Sequence, residues 1–376
     1  MKRFISMIIA VVITIGSFIS IAAAEQTDFS AYEIRDRFTP VDIYMLNGNS
    51  LVAETWSDRY GDITRDWHIT WFQDGEILRE VDYNPIGDLF YMPVPHTDGT
   101  CGMIEMTVEK DRKESRTGIT LYDWNENGLV NPRVISEDAD DVQVTFGGFT
   151  VRNKNTKELS LYNDAGELLY LMKDEENRPV KIECDRLGNF WVMTVHYRKD
   201  FEENIYTLRC IKDGAVNWEK KVNEGTAFYP DQQGGLYCIV RLGSGLYRTV
   251  GITHLDSTGE EDFRKTLSAD KVVLGCAVST NPKTGEIYLT GRAVANSRKV
   301  YGVYRMTLDQ NWNMTDLDVR KMDYYHDINP RVFMNLDNDF YVHSNGLDEN
   351  DQGGIQPVIV PFDELEKTDN LGIRIQ

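Results

Sequence analysis

A turn motif recurs along this chain about every fifty residues, and that recurrence constrains the fold more than any other feature of the sequence. The clearest copies are Cys184-Asp-Arg-Leu-Gly188-Asn-Phe-Trp191, Pro230-Asp-Gln-Gln-Gly234-Gly-Leu-Tyr237 and Asn281-Pro-Lys-Thr-Gly285-Glu-Ile-Tyr288. In a fourth, Asn335-Leu-Asp-Asn-Asp339-Phe-Tyr341, Asp takes the place of Gly. The aromatics Trp191, Tyr237, Tyr288 and Tyr341 stand 46, 51 and 53 residues apart. Asp or Asn opens such a turn by bonding the backbone ahead of it. Gly supplies a positive φ, and an apolar strand leaves the turn. Weaker copies are Tyr83-Asn-Pro-Ile-Gly87-Asp-Leu-Phe90, Phe146-Gly-Gly148-Phe149 and Leu46-Asn-Gly48-Asn-Ser-Leu51.

A second tight turn recurs out of phase, at Asp74-Gly75, Asn127-Gly128, Ala165-Gly166, Asp213-Gly214, Thr258-Gly259 and Gln310-Asn311. Between the turns lie short alternating runs rich in Val, Ile, Tyr, Phe and Trp, the pattern of strands. One unit therefore reads as a four-stranded antiparallel meander, the size of a propeller blade. The expectation is an all-β β-propeller with seven four-stranded blades. The degenerate early copies leave six or eight open, and a β-sandwich or barrel is the competing architecture. Only residues 31–37 and 361–367 hint at helix. The two tight turns of each blade should share one end of the molecule. Longer loops, at residues 54–66, 94–118, 196–204, 241–247, 292–300 and 344–354, should gather at the other.

The run Thr284-Gly-Glu-Ile-Tyr-Leu-Thr-Gly291, followed by Val303-Tyr-Arg-Met-Thr-Leu-Asp309, resembles the repeats of bacterial extracellular β-propellers. Gly214-Ala-Val-Asn-Trp218 is similar to the outer strands of quinoprotein-like propellers. The resemblance implies architecture only, since propellers host enzymes, binders and scaffolds alike. The docking pattern of true quinoproteins is absent, so no cofactor is carried over.

The first residues suggest an address. Met1-Lys2-Arg3 is a positive n-region, residues 4–21 are almost wholly apolar, and Ala22-Ala23-Ala24 supplies a cleavage site. That is the three-part pattern of a secretory signal peptide, with an uncleaved anchor as the alternative. The division expected is a signal peptide over 1–24, a lead-in over 25–40 and one propeller domain over 41–376, with no transmembrane span in the mature chain. The protein is then secreted or displayed at the cell surface. It carries 40 Lys and Arg against 60 Asp and Glu, a formal net charge of −20. Such a field repels polyanions, which argues against nucleic acid as a partner. Five cysteines, an odd number without a C-x-x-C spacing, read as buried core residues; at most one disulfide is expected.

No catalytic motif stands out. The six histidines form neither H-x-H nor H-E-x-x-H, so no metal ligation is expected from them. Asp123, Asn125 and Asn127 match the first half of a calcium loop, but Val134 stands where the loop needs a bidentate Glu. They also fall where a hairpin turn is due, which is the preferred reading. The acidic clusters around Glu137–Asp141 and Lys173–Glu176 are read as solvated connections between blades. Aromatic and cationic residues near the long loops, namely Trp67, Tyr197, Arg198, Tyr325, His326 and Arg331, form the candidate ligand-binding set. Rings supply stacking area and guanidinium a bidentate donor. The function expected is a binding or interaction module for a glycan or a protein. The alternatives are a carbohydrate-active hydrolase or lyase with its site in the funnel, and an envelope scaffold.

Overall fold

The computed structural model describes residues 38–46, 50–58, 65–73, 76–83, 89–110, 115–173, 177–197, 204–242, 249–269, 272–274, 276–281, 283–295, 301–322, 331–334, 339–347, 355–369 and 371–376. The signal segment and the helix hint at 31–37 lie outside these residues.

Strands follow one another in seven antiparallel sheets. The first contains β1 (Phe38–Met45), β2 (Ser50–Asp58), β3 (Arg65–Gln73) and β4 (Glu76–Tyr83). The second contains β5 (Leu89–Pro95), β6 (Cys101–Lys110), β7 (Ser115–Asn125) and β8 (Gly128–Ser136). The third contains β9 (Ala139–Thr145), β10 (Gly148–Asn153), β11 (Leu159–Asn163) and β12 (Leu168–Met172). The fourth contains β13 (Asn177–Cys184), β14 (Phe190–His196), β15 (Ile205–Lys212) and β16 (Ala215–Val222). The fifth contains β17 (Ala227–Pro230), β18 (Leu236–Leu242), β19 (Thr249–Leu255) and β20 (Glu261–Ser268). In the sixth, β21 (Val272–Leu274) and β22 (Ala277–Thr280) both pair with β23 (Ile287–Ala295), which is followed by β24 (Tyr301–Leu308) and β25 (Met314–Met322). The seventh contains β26 (Arg331–Met334), β27 (Phe340–Leu347) and β28 (Ile355–Pro361). A last strand, β29 (Arg374–Ile375), adds to the outer edge of β20. Strand β1 comes against β28, so the first and seventh sheets are neighbours and the circle closes.

The core lies between blades. Val94, Ile104 and Leu121 of the second sheet pack with Val142, Phe149 and Val151 of the third. Trp191, Met193 and Leu208 of the fourth meet Phe228, Leu236 and Leu255 of the fifth. The second to sixth sheets thus bury both faces, and a second strand can be buried along its length: β14 buries Phe190 to Val195 without a break. At about 25 cal/mol per Å² of apolar surface, this face-to-face packing is the main source of stability.

The three clearest motif turns are where the sequence places them. Gly188, Gly234 and Gly285 close the β13–β14, β17–β18 and β22–β23 hairpins with φ of 79°, 99° and 72°. Asp185 Oδ1 accepts from the backbone N–H of Leu187 and Asn189, and Asp231 Oδ1 from those of Gln233 and Gly235. The second family follows suit, with positive φ at Gly128, Gly166, Gly214 and Gly259.

Several expectations change. The weak motif copy at Gly87 lies outside the described residues. The inner hairpin of the second blade is His96–Thr100, where His96 N donates to Thr100 O at 2.9 Å. The span 94–118 is therefore no long loop, because β6 runs through it with buried Cys101 at its start. Asp140 and Asp141 belong to inner strand β9, and Arg152 bonds Asp140 at 2.5 Å. Residues 361–367 form only a single 3-10 turn, Phe362–Glu364, because the chain is recruited to the outer edge of the sixth blade. All five cysteines are free. Burial pushes the Cys238 thiol up to about 12, which leaves it inert.

Candidate functional site

In the second to fifth blades both tight turns lie at the same end of the meander, and the second blade's turns border two adjoining clefts there. The first, about 490 Å³, opens between the first and second blades. Its walls come from Trp71, Leu78 and Arg79 on one side and from His96, Thr100, Asp123 and Asn125 on the other. The second, about 250 Å³, opens between the second and third blades and shares His96 and Asp123 with it.

Arg79 is positioned by strand pairing. It lies opposite Trp71 in the β3–β4 register, and its Cζ stands 4.6 Å from the centre of the Trp71 ring. Trp71 is fixed in turn by an indole N–H bond to Ser50 Oγ at 2.7 Å and by the tilted Trp124 ring at 5.6 Å. Arg79 Nη1 reaches the Trp124 carbonyl only at 3.5 Å, and its Nε is buried with no partner. Burial lowers the Arg79 pKa, and the charge of Glu126 opposes that shift.

His96 closes the inner hairpin. Its Nδ1 lies 2.9 Å from Thr100 Oγ1, while Nε2 is buried and has no partner. The ring fits because residue 102 is glycine: a Cβ there would stand 2.8 Å from Nε2. Asp123 is engaged. Arg133 Nη2 donates to it at 2.7 Å and Asn131 at 2.8 Å, and these bonds, Arg133 first, hold its carboxyl below the usual range. Across the second cleft, Thr97 N donates to Asp164 Oδ2 at 3.0 Å and ties the second blade to the third.

Of the sequence-derived set, Trp67, Tyr197 and Arg331 line neither cleft. Trp67 begins β3 and stacks on Tyr83, 6.0 Å away at 26°, against the core between the first two blades. Tyr197 follows β14 and is 59% exposed. Arg331 starts β26 opposite His343. Arg198, Tyr325 and His326 lie outside the described residues, so the convergence of the set has no geometry to report. Asp123 and Asn125 end β7, and Asn125 Oδ1 accepts from Asn127 N at 2.8 Å, the hairpin turn preferred above. Among the described residues no group of three His, Cys, Asp or Glu side chains is placed to hold a metal. Sequence reasoning passed over Arg79 and His96. Each sits in an ordinary strand or turn pattern, and only the unanswered bonds mark them.

No protein-family model matches the chain. No curated protein matches it either. Among solved structures it is similar to the β-propeller domain of the Trilobed protease from Pyrococcus furiosus, described as having an open velcro topology. That likeness has a TM-score of 0.50 at 11% identity and covers 89% of this chain and 96% of that one. The Dos1 propeller gives a TM-score of 0.46 at 8% identity, covering 86% of this chain and 77% of that one. The first of these likenesses bears on the fold alone. The chain is a β-propeller. In this one, the first and seventh sheets exchange no strand among the described residues, and each is built from consecutive segments.

Proposed function

We propose that this protein is a secreted or cell-surface propeller that acts as a binding module, with the cleft between its first two blades as the ligand seat. The observation that carries this reading is Arg79: a guanidinium laid on a tryptophan, partly desolvated, with its bonding capacity unfilled, at the wall of a cleft of about 490 Å³. Buried polar groups are ordinarily satisfied, and an unsatisfied one at a cleft wall is a natural contact for a ligand. The signal-like first 24 residues and the acidic balance support an extracellular setting. A glycan or a protein surface remains the partner class, and the long-loop end around Tyr197 and Arg198 is the second surface to examine.

The test is a glycan and peptide array with the mature chain, followed by Arg79→Gln and Arg198→Ala on whatever binds. Loss with Arg79→Gln alone supports the cleft. Loss with Arg198→Ala alone moves the site to the long-loop end.

A further inference from the structure

We infer that the cleft between the first two blades takes a single carboxylate group, with Arg79 as its principal anchor. The inference deepens the binding-module reading and rests on it. In a chain with 60 acidic and 40 basic residues, an arginine readily finds a carboxylate. Arg133, Arg152, Arg209, Arg264, Arg305 and Arg320 each do. Arg79 has no carboxylate within ion-pair distance among the described residues. Its one hydrogen bond is the long contact to the Trp124 carbonyl, and its Nε has none.

The Trp71 ring centre stands 4.6 Å from the Arg79 Cζ and Nε is buried, so the two Nη groups are the donors left to a ligand. A planar fork of N–H donors matches a carboxylate in bidentate geometry. The cleft excludes part of the solvent, which strengthens such a charge-assisted bond. His96 Nε2 is a second unanswered group beside the cleft, buried against Gly102. Thr100 and Asn125 offer hydroxyl and amide groups to the body of the ligand, while Leu78, 44% exposed, offers apolar contact. The net charge of −20 repels a polyanion, so the occupant is a mostly neutral molecule bearing one carboxylate. A sugar acid and an acylated amino acid share that chemistry.

The experiment titrates the full mature chain, by calorimetry and by amide NMR shifts, with a hexuronic acid and with N-acetyl amino acids. Each acid is paired with its neutral counterpart, the hexose or the amide. The expected result is that one acid binds and shifts the amides of residues 78–79 and 96–101, while its neutral partner binds about tenfold more weakly or less. Which acid binds identifies the source. Arg79→Gln should lower affinity for the acid about tenfold or more, and Arg79→Lys should recover only part, because an ammonium lacks the fork. Leu78→Asp changes an exposed position and leaves the fold intact. It should weaken the acid more than its neutral partner, because both lose the apolar contact and the acid also meets a like charge. The inference is overturned if acid and neutral partner bind alike, if Arg79→Gln in a protein of unchanged melting temperature binds as before, or if neither acid binds. Neutral glycans or peptides that still shift the cleft amides would then keep the binding-module reading. Failure of every probe to shift them would remove both.

Discussion

The ring of His254 sits between two carboxylates, Nε2 3.1 Å from Asp231 Oδ2 and Nδ1 2.8 Å from Asp262 Oδ1. Both nitrogens face acceptors, so the ring donates on both sides only as the cation. Burial works against that charge, but the bonds to Asp231 and Asp262 outweigh it and raise the His254 pKa. Burial likewise opposes ionisation of Asp231, and its bonds to His254 and to the turn amides lower its pKa all the same. The signs follow from linkage. The histidine's contribution is fully present below about pH 6.5, the unfolded imidazole value, and is lost as pH rises through the higher folded value. The aspartate's contribution is present above about pH 4 and is lost as pH falls through its depressed folded value. Melting temperature followed from pH 5 to 9 should therefore fall on the alkaline side more steeply for the wild type than for His254→Gln. Equal slopes would show that the ring carries no extra proton in the folded state. This ion triad was not legible in the sequence, where His254 reads only as a strand residue. Arg79 and His96 were missed for the same reason: what distinguishes them is the set of partners they lack, and that exists only once strands from two blades meet.

At the scale of the element, the turn chemistry was the legible part. Asp and Asn side chains bonding ahead to the backbone, with glycine at positive φ, act within five residues and need no tertiary context. Gly188 and Gly259 separate the two costs of replacing such a glycine. Gly188 has φ 79° and open space around an added Cβ. Gly188→Ala should cost only the left-handed backbone penalty, about 1–2 kcal/mol. Gly259 has φ 84°, and its Cβ would stand 2.7 Å from the Trp218 ring, so Gly259→Ala adds roughly 1–3 kcal/mol of overpacking. Urea midpoints that rank the two the other way would contradict the turn assignment. The second blade's hairpin escaped notice because His96-Thr-Asp-Gly99-Thr holds its Asp beside the Gly, while the sequence around Gly87 imitates the motif. The final segment was equally illegible, since its partners are distant in sequence. Arg320 grips Asp318 at 2.6 Å and donates to the carbonyls of Asp363 and Leu365, which ties the chain end across the outer strand of the sixth blade. Asp318 is 5% exposed and without Arg320 keeps only the longer contacts to Lys367 at 3.5 Å and Arg305 at 3.8 Å, so Arg320→Ala removes its hydrogen-bonded partner and should cost about 1.5–3 kcal/mol. Amide exchange in β25 and in the β20–β29 pair should quicken together.

For the whole molecule, the arrangement of the core fixes how it unfolds. Among the described residues no cluster of buried side chains belongs to one blade: Phe149 is fully buried against the second blade's residues, and Trp191 against the fifth's. A lone blade would expose both faces of its apolar second strand, so blades lend each other stability around the closed circle. The C-terminal segment adds a further tie. Ile373 packs in the core between the fifth and sixth blades, and Ile375 pairs opposite Leu267. Damage in one blade should then be felt in blades that do not touch it. Phe149→Ala removes a large side chain from the junction of the second and third blades and should cost about 3–5 kcal/mol. If the circle unfolds as one unit, amide exchange by global opening in β24, three blades away, should quicken by the factor that this loss implies, and circular dichroism and tryptophan fluorescence should trace one transition. If β24 keeps its protection while the third blade melts early, the blades are independent and the closure of β1 against β28 contributes little to holding them together.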